Sequence, residues 1–409
     1  MVTVTNETKE AWASESSQKH IRIQIIGVGY ISENEIAQGS FSMSESIMSS
    51  NSIEFVGCIA RKITFTTSAF TTLNLKKKRI KVWVQANDTE EIQVFNGIID
   101  ESKKQSTKGL KDIVAYDDLY RLSQIDASSW WNSLGKTTIG DTVYSFFDTF
   151  HETGFLIGGL WNWTKPCFGG TKRKVTRFTC LDYLKQLCQI NGVIGYMDGS
   201  GIFSIKHLRT STTTEIPYFR EFDYADYSVK AIERVTIRNG SEDVGVSYPY
   251  SGQNTYIIQG NIFAYDQTTS DLLEMAEGVF REVEGISYKP FDAGHNAYPY
   301  LECGDIVRYT DYDDEGVLQT IDCYIMSRVL SGDQDMWDDY SAEGEQDQRI
   351  FITDLQAQLN DLQNEIDEEQ EPTPDGSLYG MVLVEYTYPI EEPTMGGIED
   401  SVSGIVTEV

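Results

Sequence analysis

The stretch from Phe95 to Leu134 constrains the fold of this chain most, because it joins a strand-rich region to a mixed helical one. Apolar residues around Gly97 predict the end of a strand, and the polar run that follows predicts a hairpin connection. Residues 111–116 are then a second predicted strand. Asp117 and Asp118 come next and are typical N-caps for a short helical turn. We interpret the stretch as a corner of a folded domain.

Strand patterns dominate on both sides of a helical middle. Ile21, Ile23 and Ile25 alternate with polar residues, and the β-branched runs up to residue 116 predict an antiparallel sheet or small barrel. Residues 226–345 return to the same pattern around one helix. The predicted fold class is therefore mainly β (α+β), with two small β-barrel domains and a mixed α/β insertion.

The chain of 409 residues is long enough for about two or three domains. Its 40% hydrophobic content supports packed cores. The predicted segments are a flexible arm (1–19), the first β-barrel domain (20–125), a mixed α/β domain (126–225), the second β-barrel domain (226–345), a short coiled-coil-like helix (346–371), and a C-terminal linker with a strand tail (372–409).

A stripe of aliphatic residues predicts a helix from about Ile350 to Glu368. The stripe has the three- and four-residue spacing of a coiled-coil seam, and its members are Ile352, Leu355, Leu359, Leu362 and Ile366. It is shorter than the three or four heptads that usually stand alone. Two interpretations stay open: a helix for self-association, or an amphipathic helix packed on its own domain.

The charge is strongly acidic, with 33 basic and 63 acidic residues and a formal net charge of -30. Such a chain repels DNA phosphates and anionic lipid surfaces, so specific nucleic-acid binding is not expected. Lys76, Lys77, Lys78 and Arg79 stand out as a basic run. They are either a solvated strand edge, since lysine discourages edge pairing, or an electrostatic contact with an acidic neighbouring subunit.

Motifs for chemistry are missing from the sequence. The four histidines are not at ligand spacing, and neither HExxH, CxxC nor a phosphate-binding glycine loop is present. We therefore predict no catalytic residues, no metal site and no cofactor. An acidic turn offers carboxylates for Ca²⁺ but lacks the EF-hand pattern; its residues are Asp311, Asp313, Asp314 and Glu315.

The six scattered cysteines favour buried free thiols in a reducing cytosol over a disulfide framework. The first 20 residues are polar and lack the core of a signal peptide. No apolar run approaches the roughly 18 residues of a membrane span. We expect a chain that is made and folded in the cytosol.

Three stretches, taken in order, resemble the hub proteins of phage tail baseplates and the hub-like N-terminal region of tail-associated proteins at the tips of long-tailed phages. The first is FNGIID with the later IVAYDDLYRLSQID and a tryptophan; the second is a helix followed by a hairpin with the turn Asp198-Gly199-Ser200-Gly201. The third is YKPFDAGHNAYPYLECGDIVRYTD. The resemblance spans roughly residues 20–345.

This resemblance implies a structural virion protein assembled in the host cytoplasm. It implies a homotrimer whose two barrels per chain form a pseudo-sixfold ring, joining a six-fold tail tube to a three-fold spike and letting DNA pass. Expected partners are the tail tube or distal tail protein, a spike or needle protein, and the tape measure protein.

Two alternatives remain. One is a tail-associated cell-wall hydrolase, although the residues after 345 leave little room for a separate hydrolase domain. The other is a carbohydrate-binding tail adhesin with an aromatic platform around Trp161 and Trp163.

Overall fold

Eleven of the 21 strands in the described part of the chain belong to one large antiparallel sheet. The computed structural model describes residues 2–47, 58–105, 109–150, 155–157, 159–240, 245–312, 316–344 and 350–352. All of these residues belong to one compact unit, Met1–Glu368.

The described α-helices lie mostly in the middle of the chain. They are Asn6–Ala13 (α1), Asp118–Leu122 (α2), Ser128–Ser133 (α3), Ile139–Phe150 (α4), Cys180–Asn191 (α5) and Thr269–Val283 (α6).

Strands fill both the first and the last third of the described chain. They are Lys19–Ile25 (β1), Gly29–Ile31 (β2), Ser42–Ser46 (β3), Lys62–Thr67 (β4), Arg79–Ala86 (β5), Ile92–Gln105 (β6), Leu110–Asp117 (β7), Phe155–Leu156 (β8), Ile194–Met197 (β9), Phe203–Lys206 (β10), Thr213–Glu215 (β11), Glu221–Tyr224 (β12), Arg234–Arg238 (β13), Gly245–Tyr248 (β14), Thr255–Ile258 (β15), Phe291–Asn296 (β16), Ile306–Tyr312 (β17), Leu318–Tyr324 (β18), Ser327–Ser331 (β19), Trp337–Ala342 (β20) and Ile350–Ile352 (β21).

The large sheet contains strands from both predicted barrel regions. Its order is β12-β16-β20-β19-β3-β4-β7-β6-β5-β1-β2. The two regions join where β3 pairs antiparallel with β19, from Ser42 opposite Ser331 to Ser46 opposite Ser327. Smaller sheets have the orders β8-β10-β9, β11-β17-β18 and β14-β13-β15-β21. The mainly β fold class is confirmed, while the division into two barrels stays a prediction.

Alternation along the strands sets which face enters the core. Ile21, Ile23 and Ile25 of β1 are buried and their polar neighbours are not, as the sequence predicts. Their partners across the sheet come from β5, where Ile80 lies opposite Ile25 and Val82 opposite Ile23. Each such aliphatic side chain contributes roughly 1.5 to 3 kcal/mol on burial.

Caps define the ends of α5. The Thr179 hydroxyl accepts from the backbone N–H of Asp182, and the Asp182 carboxylate accepts from the backbone N–H of Thr179 in return. Gly192 ends the helix with a φ of 66°, a conformation that glycine adopts without strain. The predicted helix starting after Thr179 and ending near Gly192 is confirmed.

The N-terminal segment differs from the flexible arm predicted for residues 1–19. Asn6–Ala13 forms helix α1, whose N-cap Thr5 accepts a hydrogen bond from Thr8. Trp12 is fully buried and anchors the helix, with the Lys19 ammonium 5.9 Å from its ring centroid. A single tryptophan in a polar segment produces no periodic hydrophobic pattern, so the sequence pattern could not predict that Trp12 is buried and anchors a helix.

The segment predicted to start the C-terminal helix is a strand where the structure describes it. Ile350–Ile352 forms β21, parallel to β15, with Thr255 opposite Ile350 and Ile257 opposite Ile352. Two β-branched residues around a phenylalanine favour a strand. Pairing with β15 therefore outweighs the helical spacing of the aliphatic stripe at this point. The other stripe residues, Leu355, Leu359, Leu362 and Ile366, lie outside the described residues.

Candidate functional site

Buried charges form a network where the first β region, the middle domain and the second β region meet. Its first centre is Arg61, just before β4. Its guanidinium Nη2 lies 2.5 Å from Glu45 Oε2 and 3.9 Å from Glu302 Oε1. Its Nη1 donates to the carbonyl of Val94 at 2.7 Å. Arg61 thereby ties β3, β6 and the loop before β17 together.

The second centre is Lys206, at the end of β10. Its ammonium lies 3.1 Å from Asp305 Oδ1 and 3.6 Å from Glu302 Oε2, and it donates to the carbonyl of Cys303 at 2.9 Å. The two carboxylates are held in place by a turn, since the backbone N–H of Glu302 donates to Asp305 Oδ2 at 2.9 Å. This lysine connects the middle domain to the second β region.

The third centre is Arg328, which is almost fully buried on β19. Its Nε and Nη2 contact the two carboxylate oxygens of Asp338 at 2.8 and 3.0 Å, a bidentate pair. Its Nη1 lies 3.6 Å from Glu45 Oε1, across the β3–β19 pairing. Glu45 is therefore shared between Arg61 and Arg328.

The electrostatics of the network keep its central carboxylate ionised. Burial works to raise the pKa of Glu302, but the surrounding cations, with Lys206 the strongest and Arg61 among the others, outweigh burial and lower that pKa to about 2. Conversely, burial works to lower the pKa of Lys206, but Glu302 and Asp305 outweigh it and raise that pKa above its ordinary value. The pairs are therefore charged at neutral pH.

Asp117 lies beside the network and behaves differently. Its carboxylate accepts hydrogen bonds from the backbone N–H groups of Arg61 at 2.8 Å and Leu119 at 2.9 Å, and the second of these caps α2 as predicted. Burial nevertheless raises the pKa of Asp117 to about 7. A small cavity of about 20 Å³ adjoins Asp117, Arg61 and Glu302, with room for about one water molecule.

The stretches that carry the sequence resemblance meet at this place. Asn96, from FNGIID, donates through Nδ2 to the carbonyl of Ser200 in the hairpin turn at 2.5 Å. Gln93 donates through Nε2 to the carbonyl of Gly199 at 2.7 Å. The same hairpin ends at Lys206, which binds the two carboxylates of LECGDIV. Three segments that are distant in sequence thus share one set of contacts.

The predicted contact lysines lie at the start of β5. Lys76, Lys77 and Lys78 are exposed, whereas Arg79 is half-buried. Lys76 lies 3.7 Å from Asp100, and Arg79 contacts Asp118 at 3.1 Å. Arg79 is therefore engaged within its own chain, and the three lysines remain as the exposed part of the predicted contact.

The two tryptophans of the adhesin alternative pack against different helices. Trp161 is 50% exposed, donates through Nε1 to Glu282 of α6 at 2.8 Å, and carries the Arg281 guanidinium 4.6 Å from its ring. Trp163 is half-buried against Gly140 of α4. The structure thus places the two indoles in separate packing environments.

The six cysteines are free and buried, as the sequence predicts. Across the described ranges, no three His, Cys, Asp or Glu side chains are grouped to hold a metal ion. Nor does this part of the chain contain a helix long and apolar enough to cross a membrane. Residues 313–315 of the acidic turn lie outside the described residues.

The sequence reading missed the cations of the network, although one signal was present. In β19, Arg328 and Leu330 both lie on the buried face of the strand, while Val329 between them is 37% exposed. A charged residue in phase with a buried leucine indicates a buried ion pair. The sequence of β19 alone, however, does not indicate which acidic residue is the partner.

Comparisons with known proteins give structural likenesses alone. No family model matches the chain, and none of the curated proteins does. The tail protein of Neisseria meningitidis MC58 is 10% identical with a TM-score of 0.48, and the match covers 81% of this chain and 99% of that one. The 43 kDa tail protein of prophage MuSo2 from Shewanella oneidensis is 11% identical with a TM-score of 0.47, covering 80% and 97%.

A third solved structure is a lidless PdpA–VgrG complex, whose matching chain is 12% identical with a TM-score of 0.43. That match covers 81% of this chain and 65% of the other.

Proposed function

We propose that this protein is the structural hub of a phage tail baseplate or tail tip, or of a related injection apparatus. The observation that carries the proposal is the meeting of the three resembling stretches around one buried charge network. Gln93 and Asn96 hold the hairpin turn, and the hairpin strand presents Lys206 to Glu302 and Asp305. The stretches by which the chain resembles hub proteins are those whose contacts connect the first β region, the middle domain and the second β region.

The architecture suits a part that must keep its shape. The β3–β19 pairing and the shared Glu45 connect the two β regions through both backbone and side chains. Buried ion pairs favour one arrangement over others, because every misplaced partner leaves a desolvated charge. A rigid body of this kind is suited to passing force between neighbouring subunits.

In the proposed assembly, three chains form a ring that joins the six-fold tail tube to a three-fold spike or needle and leaves a passage for DNA. The net charge of -30 supports a channel wall that does not retain DNA. The tail tube or distal tail protein, the spike or needle protein and the tape measure protein are the proposed partners. Catalysis has no part in this function, and we propose that the chain is not an enzyme.

Light scattering and cryo-electron microscopy of the purified full chain test the proposal. The expected result is a three-fold particle with an axial opening. A chain that stays monomeric at micromolar concentration contradicts the hub function. Reproducible cleavage of peptidoglycan, lost on mutation of one carboxylate pair, would instead establish the hydrolase, and specific glycan binding would establish the adhesin.

A further inference from the structure

One surface of this acidic protein is strongly basic. Its lysines lie around the start of β5, the start of β4 and the far end of the β6–β7 hairpin. We name this surface the lysine patch, and its members are Lys62, Lys76, Lys77, Lys78, Lys103 and Lys104.

The lysine patch has a surplus of positive charge. The side chains of Lys76 and Lys103 are 54% and 73% exposed. Glu101 contacts Lys103 at 2.6 Å, and its pKa is lowered by the hydrogen bond and charge of Lys103 and then by Lys76 and Lys62. Several cations thus act on one carboxylate. Nearby, burial and then the charge of Lys104 lower the pKa of Lys111.

A groove of the opposite sign lies in the second β region. It has a volume of about 740 Å³ and is lined by strands β12, β17 and β18 and by the segment before β16. We name it the acidic groove. Its carboxylates are Asp223, Asp226, Asp311 and Asp322, of which Asp322 is paired with Arg308 at 2.6 and 2.8 Å.

Aromatic rings make the acidic groove suitable for lysine. The Lys289 ammonium lies 4.9 Å from the ring centroid of Tyr224, so one cation–π contact is already present. Tyr312 is 67% exposed and adds a second ring face. Partial burial, and then the charges of Glu343 and Asp223, raise the pKa of the neighbouring Asp292. Two cations, Lys289 and Arg308, face the four groove carboxylates, so the groove keeps a surplus of negative charge.

The two surfaces are too far apart to neutralise each other within one chain. In the large sheet, β12 is seven strand-to-strand steps from β6, which carries Lys103 and Lys104, and five steps from β4, which begins at Lys62. At about 4.8 Å a step these separations are roughly 34 and 24 Å along the sheet. Charges of opposite sign at such a distance are screened at physiological salt, where the Debye length is about 8 Å.

We propose that the lysine patch of one chain binds the acidic groove of a second copy. The contact joins two different surfaces, so repeating it generates a closed ring if the rotation closes. This inference rests on the proposed function and names the surfaces that hold the ring together. A second copy is favoured as the occupant because it brings a groove of matching charge, whereas the net charge of -30 repels DNA and anionic lipid.

Charge reversal on both surfaces tests the contact. The patch variant carries Lys76→Glu, Lys77→Glu and Lys78→Glu, and the groove variant carries Asp223→Lys and Asp226→Lys. A matched control reverses three exposed cations outside the patch, with Lys174→Glu, Arg177→Glu and Lys230→Glu. Thermal unfolding of each variant checks that the fold is retained, and sedimentation or light scattering measures assembly.

Each reversal alone is expected to weaken assembly about tenfold or more, because like charges then face each other. The control should assemble as the wild type does. A chain that carries both sets of substitutions should assemble again, since every contact in its ring then joins a reversed patch to a reversed groove. Raising the salt concentration should weaken the wild-type assembly.

The outcomes separate the two claims. A wild-type monomer contradicts the proposed hub function and this inference together. A wild-type ring that persists in the patch variant overturns the inference alone. Weakening by the patch variant without recovery in the chain that carries both sets of substitutions also overturns it, because the patch would then bind a surface other than the acidic groove.

Discussion

Single buried charges determine how well the parts of this molecule hold together. Glu302 contacts both Lys206 and Arg61, which come from different regions of the chain. Removing one partner of a buried pair leaves the other without compensation, and the cost is much larger than for a surface pair. The network is therefore the place where a one-atom change has a large effect.

Glu302→Gln should lower the free energy of unfolding by about 1 to 3 kcal/mol at neutral pH, because Lys206 and Arg61 lose the anion they share while Asp305 and Glu45 still pair with them. Urea unfolding measures the change. The exposed Glu221 provides the control, and Glu221→Gln should change stability by less than about 0.5 kcal/mol. Equal effects at the two positions would contradict the role given to the network.

The same carboxylate predicts a dependence on acid. Its folded pKa is about 2, below the ordinary 4.5. Its contribution is therefore present above about pH 4.5 and is lost as the pH falls towards 2. Glu302→Gln should lack this component, so the stability difference between wild type and variant should shrink with acidification. A difference that is constant over this range would argue against the prediction.

Asp117 predicts a trend of opposite sign. Its folded pKa is about 7 against an ordinary 3.8, so the folded protein binds more protons than the unfolded chain between these values. Stability from this group is present at low pH and is lost as the pH rises towards 7. Relative to wild type, Asp117→Asn should gain stability over that interval. Chemical denaturation at several pH values measures it, with the exposed Asp88→Asn as the flat control.

At the scale of secondary-structure elements, the sequence predicted the buried face of a strand and the ends of a helix better than it predicted which strands pair. The alternation of β1 and the caps of α5 are local signals, so the buried face of one and both ends of the other could be predicted. The pairing of β3 with β19 could not, because alternation gives each strand a buried face without naming its neighbour. Helix α1 was not predicted, because one buried tryptophan gives no periodic hydrophobic pattern.

Docking of the β9–β10 hairpin on β6 gives a prediction at this scale. A Cβ at Gly199 would lie 1.9 Å from the backbone oxygen of Gln93, which cannot move alone. Gly199→Ala should therefore push the hairpin away and lower stability by about 1 to 3 kcal/mol.

The control for this prediction is Gly135→Ala, because a Cβ at Gly135 meets nothing within 4 Å. It should leave thermal unfolding nearly unchanged. If Gly199→Ala unfolds at the same temperature as wild type, the hairpin is not held closely to the strand.

For the whole molecule, the proposed assembly has two candidate contacts between copies of the chain. The lysine patch and the acidic groove form one candidate contact. The aliphatic stripe of the C-terminal segment is another, although Ile352 belongs to β21 and the remaining four stripe residues lie outside the described part of the chain. Self-association through the stripe stays a prediction.

Leu359→Asp tests the stripe. If the segment associates with copies of itself, a charge in the seam should weaken the oligomer without unfolding the β domains, because a large apolar side chain, worth roughly 1.5 to 3 kcal/mol when buried, is lost. Asn360→Asp introduces the same charge at a neighbouring polar position and should have little effect. Light scattering decides, and an unchanged oligomer in Leu359→Asp would indicate that the segment packs on its own chain.

The β3–β19 pairing also has a consequence for synthesis. Its strands are about 280 residues apart, as the Ser46–Ser327 hydrogen bond shows with a separation of 281. At about 5 to 20 residues per second, β3 leaves the ribosome roughly 15 to 60 s before its partner. During that interval the nascent chain exposes an unpaired strand edge, which can recruit other chains. The five residues of β3 include three serines and a glutamate, so this edge is polar. It is therefore poorly suited to pairing with another strand before β19 has been synthesised.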